Sequence, residues 1–186
     1  MAFIVIYDAN VLYPNTLRDL LIRIAQLPHL VQAKWTDEIL DEMLEALRKN
    51  RPDISEEKAS RLRELMNKAV RRDCLVVGYE PLVEVLDLPD PDDRHVLAAA
   101  VKVNAQLIVT WNRKDFPQGK LAPWGVRAKS PDDFVRDTMG IDSQAVWACV
   151  QQIVDSRTRP PVTVEDVLDE LERDGLVRSV AALRSM

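Results

Sequence analysis

The sequence predicts an α/β fold in which helices cover both faces of a mostly parallel sheet of four to five strands. Short apolar runs rich in β-branched residues, such as "FIVIY" at Phe3–Tyr7, are typical of strands buried on both faces. Segments with apolar residues at helical spacing lie between these runs, and this alternation indicates βαβ units. The 186 residues, 47% hydrophobic and 30% charged, are enough for one such domain and an appendage.

The first half of the chain contains three of the predicted strands. After "FIVIY", the segment "TLRDLLIRIAQL" has the apolar stripe of a helix, and "LVQAKW" follows as the second strand. Thr36 is the expected N-cap of the helix "DEILDEMLEALRKN". Ser55 opens a charged amphipathic helix that is predicted to end near Arg72, and "CLVVGY" is predicted to be the third strand.

The second half begins with a helix predicted from about Asp90 to Val103, followed by "AQLIVT" as the fourth strand. "GVRAKSP" is expected to form a short fifth strand and "PDDFVRDTM" a short helix. From residue 140 onward the patterning is helical only, with "RTRPPVT" as a linker and two short helices around Gly175. We therefore expect an α/β domain at residues 1–139 and a helical C-terminal extension at 140–186, which is too short for a core of its own.

Composition narrows the function classes. A net charge of −5 and a pI of about 5.1 argue against nucleic-acid binding by bulk electrostatics, unless the acids are concentrated and neutralised in one place. No apolar run approaches a membrane span, and the first residues lack the features of a signal peptide. Cys74 and Cys149 are expected to be buried free thiols in a reducing compartment, which suggests a cytoplasmic protein without membrane association.

The stretch "LDLPDPDDRHVLAAAV" gathers four aspartates immediately before an alanine-rich helix. With Asp90 as N-cap, Pro91 falls at the first helical position, and Asp90 and Asp92 can be explained by capping and by the helix dipole. Asp93 fits that account less well, because Val96, Leu97 and Ala100 place it in line with the apolar stripe. A carboxylate that faces a core needs a partner or a metal.

Other acids follow the predicted strands or lie on a neighbouring helix. Asp8 directly ends the first strand, Asp115 follows the fourth, and Glu42 flanks the apolar stripe of the helix after the second. For each alone, a turn or a solvated surface is a sufficient explanation, and Glu38 and Asp41 are assigned to the surface. Together they would meet at one edge of a parallel sheet, where a hard divalent cation would relieve their repulsion.

The order and spacing of these pieces resemble a PIN-domain ribonuclease, specifically the VapC-type toxins of toxin–antitoxin pairs. The pieces that carry the resemblance, over about residues 3–136, are "IYDANVL", "WTDEILDEMLEAL", "DPDDRHVLAAAV", "LIVTWNRKDF" and "AKSPDDFV". The resemblance implies a three-layer α/β/α sandwich and a metal-dependent endoribonuclease that leaves a 5′-phosphate and a 3′-hydroxyl. It also implies that Mg²⁺ or Mn²⁺ is bound by four acids, Asp8, Glu42, Asp93 and Asp115. Asp90 competes with Asp93 for its place in this set.

The resemblance also assigns supporting residues and partners. Asn10, Thr110 and Asn112 match polar positions that order the site. The expected partners are an RNA substrate, a VapB-like antitoxin and a second copy of the chain in a homodimer. The basic residues nearest the acidic edge could track an RNA backbone, with a solvated surface as the alternative; they include Arg18, Arg94, Arg113 and Lys114.

Two other function classes stay open at this stage. A metal-dependent phosphatase with an aspartyl nucleophile would need a second acid two residues after Asp8, where Asn10 stands. A non-catalytic module could instead use an acidic cleft to bind a basic partner. His95 is expected to be a partly buried helix residue, and packing explains Trp111 and Trp124 more simply than base stacking does.

Overall fold

The computed structural model describes residues 3–70 and 73–186, and among these residues four strands form a single parallel sheet. The strands are β1 (Phe3–Tyr7), β2 (Val31–Lys34), β3 (Leu107–Val109) and β4 (Arg127–Lys129), in the order β2-β1-β3-β4. Val5 of β1 pairs with Ala33 of β2 and with Leu107 of β3. The predicted α/β class is confirmed, with the lower of the two expected strand numbers.

Helices make up most of the rest of the chain. Their bounds are α1 (Ala9–Leu12), α2 (Asn15–Ala25), α3 (Asp37–Asn50), α4 (Glu56–Ala69), α5 (Glu80–Val83), α6 (Arg94–Lys102), α7 (Gln118–Leu121), α8 (Pro131–Ser156), α9 (Val164–Arg173) and α10 (Val177–Leu183). Within the described ranges, three short 3-10 turns lie at Pro91–Asp93, Arg113–Asp115 and Ala122–Trp124. Among the described residues, no helix has the length and apolar character that crossing a membrane requires.

Strand β1 lies in the interior of the sheet and contacts the helices that cover it. Its Tyr7 is fully buried, donates from its hydroxyl to the Leu21 carbonyl of α2, and meets the Phe134 ring of α8 edge-on. These contacts place α2 and α8 on one face of the sheet. Because crossovers between parallel strands are right-handed, the step from β2 back past β1 to β3 carries α6 over the opposite face.

The predicted third strand is wrong. "CLVVGY" makes a single parallel bridge, Trp35 to Leu75, instead of a strand. Val77 is 68% exposed, and Gly78 has a φ of 72° that turns the chain away from the sheet. The segment therefore has the amino-acid composition of a strand, but it leaves the edge of the sheet after one bridge and does not pair further.

Helix starts agree with the capping residues that the sequence indicates. The side chains of Thr36 and Ser55 accept hydrogen bonds from the third amides of α3 and α4, and Asp90 accepts from the amide of Asp92 at 2.9 Å. The segment predicted from Asp90 to Val103 begins as a 3-10 turn and continues as α6. The predicted end of α4 near Arg72 lies outside the described residues.

The C-terminal region is helical, as predicted. "PDDFVRDTM" and the segment after it are both helical within α8, and they are separated by a bend at Asp142, whose φ of −152° and ψ of 89° are not helical. There the Asp142 carboxylate accepts from the Ala145 amide at 2.9 Å and so caps the second half of α8. The division at residues 139 and 140 falls just before this bend and stays a prediction.

Candidate metal centre

The predicted site residues lie around the carboxyl ends of β1 and β3. Asp8 follows β1 directly, Thr110 follows β3 directly, and Asp115 lies in the 3-10 turn after β3. From β1 the chain first moves to β2 on one side and later to β3 on the other side. The strand order therefore reverses between β1 and β3. Ligands of open parallel sheets bind in the crevice at this point.

Asp8 is 4% exposed and its carboxylate is held by hydrogen bonds from three groups. Its Oδ1 accepts from the Ala9 amide at 2.8 Å, and its Oδ2 accepts from Asn10 Nδ2 at 2.9 Å and from Thr110 Oγ1 at 2.7 Å. Burial raises the pKa of Asp8 above its ordinary value, although the bonds from Thr110 and Ala9 act in the opposite direction. Its orientation is therefore fixed by the protein alone.

Asn10 and Thr110 connect Asp8 to the loop after β3. Asn10 Oδ1 accepts from the Trp111 amide at 3.0 Å, while its Nδ2 donates to Thr110 Oγ1 at 3.0 Å. Thr110 Oγ1 also accepts from the Asn112 amide at 3.0 Å. The geometry suits the ordering role predicted for Asn10 and Thr110, whereas Asn112 takes part through its backbone.

A tight cluster of acids lies close enough to Asp8 for the charge of Asp8 to act on Asp93. One carboxylate oxygen from each of Asp90, Asp93 and Asp115 lies within 4.8 Å of the others. Asp93 Oδ2 is buried and has no hydrogen-bond partner among the described residues. Burial and then the charges of Asp8, Asp90, Asp115 and Glu42 raise the pKa of Asp93 to about 6. These carboxylates thus repel one another and leave one buried oxygen without a ligand.

The structure corrects the expected relation between Asp90 and Asp93. The sequence analysis gave them as competitors for one position in the metal site, but both carboxylates belong to the same cluster. Asp90 Oδ1 also caps the turn at Asp92, so capping and membership of the cluster are compatible. Asp8 and Glu42, which were expected in the primary ligand set, lie outside this group of three.

Glu42 contacts His95, which the sequence analysis expected only as a partly buried helix residue and not as part of the site. Its Oε1 lies 2.8 Å from Nε2 of His95, whose side chain is 5% exposed, and Glu38 Oε2 lies 3.6 Å from His95 Nδ1. Burial lowers the pKa of His95, but the hydrogen bond and charge of Glu42, with Glu38 and Asp8, outweigh it and leave this pKa raised. No local pattern in the sequence indicates this contact, because Glu42 and His95 are 53 positions apart.

The donor set fits a hard divalent cation. The cluster offers carboxylate oxygens only, and such ligands suit Mg²⁺, Mn²⁺ or Ca²⁺ and not a soft metal. The buried Asp93 Oδ2 without a partner is the atom that a cation would satisfy. Asp90, Asp93 and Asp115 are thus the residues that could hold the ion, with Asp8 beside them.

Comparison with known protein families agrees with this location of the site. The PIN-domain family model matches residues 5–114, more than half of the chain. This segment includes the end of β1, all of β3 and every predicted metal ligand except Asp115. The chain belongs to the PIN-domain family. A second family model, the VapC50 C-terminal domain, matches residues 131–185, so the resemblance to VapC-type proteins is confirmed.

A relative of this PIN-domain protein is known from Mycobacterium tuberculosis (strain ATCC 25618 / H37Rv). It is named "Putative ribonuclease VapC50" and is 40% identical over 94 residues, which are 50% of this chain and 55% of the relative. The match therefore spans about half of the length of each protein. No solved structure matches the chain.

Basic residues around the PIN-domain site differ in their availability. Arg113 and Lys114 are exposed on the turn that carries Asp115, although Arg113 lies 3.4 Å from Asp133. Arg94 is half-buried, and its Nε has no partner among the described residues. Arg18 is only 8% exposed, and its guanidinium donates to the Leu12 and Tyr13 carbonyls and to Asn15. Arg18 is therefore occupied inside the protein and is not exposed as an RNA-binding candidate would need to be.

Proposed function

We propose that this protein is an endoribonuclease that hydrolyses RNA phosphodiester bonds with Mg²⁺ or Mn²⁺ and serves as the toxin of a type II toxin–antitoxin pair. The observation that carries this proposal is the group Asp90, Asp93 and Asp115, which includes the unsatisfied Asp93 Oδ2, next to the oriented Asp8. Membership of the PIN-domain family supports the reaction class, and the relative named as a ribonuclease supports RNA as the substrate.

Each acid has a distinct proposed role. When bound, a divalent cation supplies an activated water and neutralises charge during in-line displacement at phosphorus. Asp90, Asp93 and Asp115 hold that ion, and Asp8 presents an ordered carboxylate at its side. Glu42, kept in place by His95, lies at the outer rim, where its side chain is 44% exposed and can orient a water or a second ion.

The surroundings offer a path for a single strand of RNA. Lys114, Arg113 and the partly buried Arg94 can contact phosphates on either side of the scissile bond. A mostly apolar hollow of about 300 Å³ lies beside Glu42 and Asn10 and is lined in part by Tyr13, Met43 and Ala46. A base next to the scissile phosphate can enter this hollow, because unpaired bases present apolar faces.

The proposed partners follow from the VapC resemblance. A VapB-like antitoxin would neutralise the protein, and an arginine presented to the acidic cluster is a chemically suitable inhibitor. A homodimer is proposed as the active form. The cytoplasm is the proposed site of action, since RNA is present there and the buried free thiols of Cys74 and Cys149 would stay reduced.

Purified protein and a defined single-stranded RNA provide the test. We expect cleavage with Mn²⁺ or Mg²⁺, none with EDTA, and none in Asp8→Asn or Asp93→Asn, whose folds should be intact. Asp92→Asn is the matched control, because Asp92 is exposed on the same turn and lies outside the cluster. Full activity of Asp8→Asn and Asp93→Asn at ordinary metal concentrations would contradict the assignment and favour a binding module.

A further inference from the structure

The C-terminal turn, defined here as residues 174–179, comprises the link between α9 and α10 and the first residues of α10, and it connects the extension to the PIN domain at two places. Asp174 Oδ2 accepts from the Leu17 amide at the start of α2 at 3.2 Å. Asp132 at the start of α8 accepts from the Arg178 amide at 3.1 Å and from the Ser179 amide at 2.8 Å. The position of this turn is therefore set by α2 and α8 together.

A third contact reaches the loop that follows β3. Gly175 has a φ of 108°, and a Cβ built there would lie 2.7 Å from Cη2 and 2.9 Å from Cζ2 of Trp111. The indole ring therefore lies directly against the glycine backbone, with no room for a methyl group. Gly125 also has a positive φ, 68°, but a Cβ there would meet nothing within 4 Å.

Trp111 is joined to the metal-binding residues on its other side. Its amide donates to Asn10 Oδ1 at 3.0 Å, and Asn10 Nδ2 donates to Asp8 Oδ2 at 2.9 Å. Asp115 lies four residues further along the same loop. A displacement of the Trp111 ring would therefore reach both Asp8 and Asp115.

A second connection runs from this loop to the C-terminal turn through Asp133. Arg113 Nη1 lies 3.4 Å from Asp133 Oδ2, and Arg178 of the C-terminal turn forms an ion pair with the other oxygen of Asp133. All three side chains are solvent-accessible, so this connection is weaker than the packing of Trp111. It nevertheless fixes the same loop from the same side.

We propose that the C-terminal turn positions the Asp115 loop for catalysis through the packing of Trp111 against Gly175, so that the C-terminal extension is a working part of the active site. This inference rests on the proposed nuclease function. Gly175 and Trp111 are positioning residues, since they act through Asn10 and Asp115. A displacement of about 1 Å at a reacting group can slow catalysis by roughly 100-fold, so a contact of this kind has a measurable effect.

The full-length Gly175→Ala variant, with Gly125→Ala as its control, tests the proposal. Both changes put alanine at a positive φ, but only the first displaces Trp111. We expect Gly175→Ala to lower kcat roughly 10- to 100-fold with KM nearly unchanged, and to weaken Mn²⁺ binding in calorimetry without RNA by about tenfold. Gly125→Ala should match the wild type in all three quantities.

Trp111→Leu removes the same contact from the loop side and is the alternative if Gly175→Ala does not fold. The double variant should lose no more activity than Trp111→Leu alone, because the two residues act through one contact. Wild-type kcat and Mn²⁺ affinity in both single variants would overturn the inference. If the wild type itself cleaves no RNA, the proposed function fails, and Mn²⁺ affinity alone then decides the positioning role.

Discussion

At the residue scale, Asp93 combines a pKa of about 6 with a buried oxygen that has no partner among the described residues. In the unfolded chain an aspartate titrates near pH 3.9, so without metal the folded state binds this proton more tightly than the unfolded state does. The resulting stabilisation is fully present below the unfolded pKa and is lost as the pH rises through about 6.

This difference predicts the stability of Asp93→Asn in EDTA. At pH 7 to 8 the variant should melt at a higher temperature than the wild type, because one repelling charge is gone. Below about pH 4 the melting temperatures of wild type and variant should converge, since Asp93 of the wild type is then neutral in the folded and the unfolded state. Thermal melts across this pH range provide the measurement, and equal pH dependence of the two proteins would show that the acids do not interact as described.

Asp90 provides a second prediction at this scale, because its two functions can be separated. Asn is nearly as good a cap as Asp, so Asp90→Asn should change the free energy of unfolding by only about 0.5 kcal/mol. The loss of a carboxylate from the cluster should nevertheless weaken Mn²⁺ binding. Calorimetry beside Asp92→Asn checks this expectation, and equal Mn²⁺ affinity in the two variants would remove Asp90 from the ligand set.

At the scale of the elements, Asp132 attaches α10 to the start of α8. Its buried carboxylate accepts from the amides of Arg178 and Ser179 and from the Ser179 hydroxyl. Burial raises the pKa of Asp132, but these hydrogen bonds outweigh it and leave the pKa lowered. This stabilisation is therefore present above the unfolded pKa and is lost as the pH falls through the folded value.

Asp132→Ala should lower the free energy of unfolding by about 2 to 3 kcal/mol at pH 7, because it leaves buried amides without an acceptor. Asp137→Ala on the same helix is the control. Asp137 is exposed, and its ion pair with Lys129 should contribute about 1 kcal/mol or less. Urea denaturation measures both variants, and equal effects would show that α10 is not attached through Asp132.

How much of the structure the sequence predicts depends on the range of the interactions. Caps such as Thr36 and Asp90, and the buried strand β1, were predictable because neighbouring residues determine them. "CLVVGY" was not, because an apolar run pairs as a strand only where the sheet offers it a partner. The positions of Asp8 and Asp115 at one edge of the sheet were also predictable, since the carboxyl ends of parallel strands lie at the same edge.

The contacts that the sequence could not predict join residues far apart in the chain. His95 meets Glu42 across 53 positions, and Gly175 meets Trp111 across a comparable distance. Local periodicity contains no information about such pairs. The sequence left Asp90 as a cap or as a competitor of Asp93 for a related reason: its proximity to Asp115 depends on the fold.

At the scale of the whole molecule, we expect a homodimer that a VapB-like antitoxin neutralises. Light scattering at micromolar concentrations, with and without Mg²⁺, measures the oligomeric state, and a monomer under both conditions would contradict the homodimer.

Neutralisation by the antitoxin is tested by co-expression with the protein encoded next to this one, which should restore growth. Failure to restore growth would argue against that protein as the antitoxin.

Net charge gives a further prediction for the whole molecule. If the acids lie where phosphate binds, as we propose, a cleavage-resistant RNA should bind poorly without metal and tightly as Mg²⁺ is added at fixed ionic strength. Asp93→Asn should bind metal-free RNA at least as well as the wild type does. RNA affinity that is indifferent to Mg²⁺ would show that the acidic cluster does not lie on the RNA path.

Sequencing of RNA ends in cells shows whether the carboxylate cluster cuts RNA, as we propose. Expression of the wild type should produce a reproducible set of new 5′-phosphate ends within a few transcripts. Asp8→Asn, produced at the same level and equally folded, should produce none of them. The same new ends in both samples, or in neither, would contradict the account.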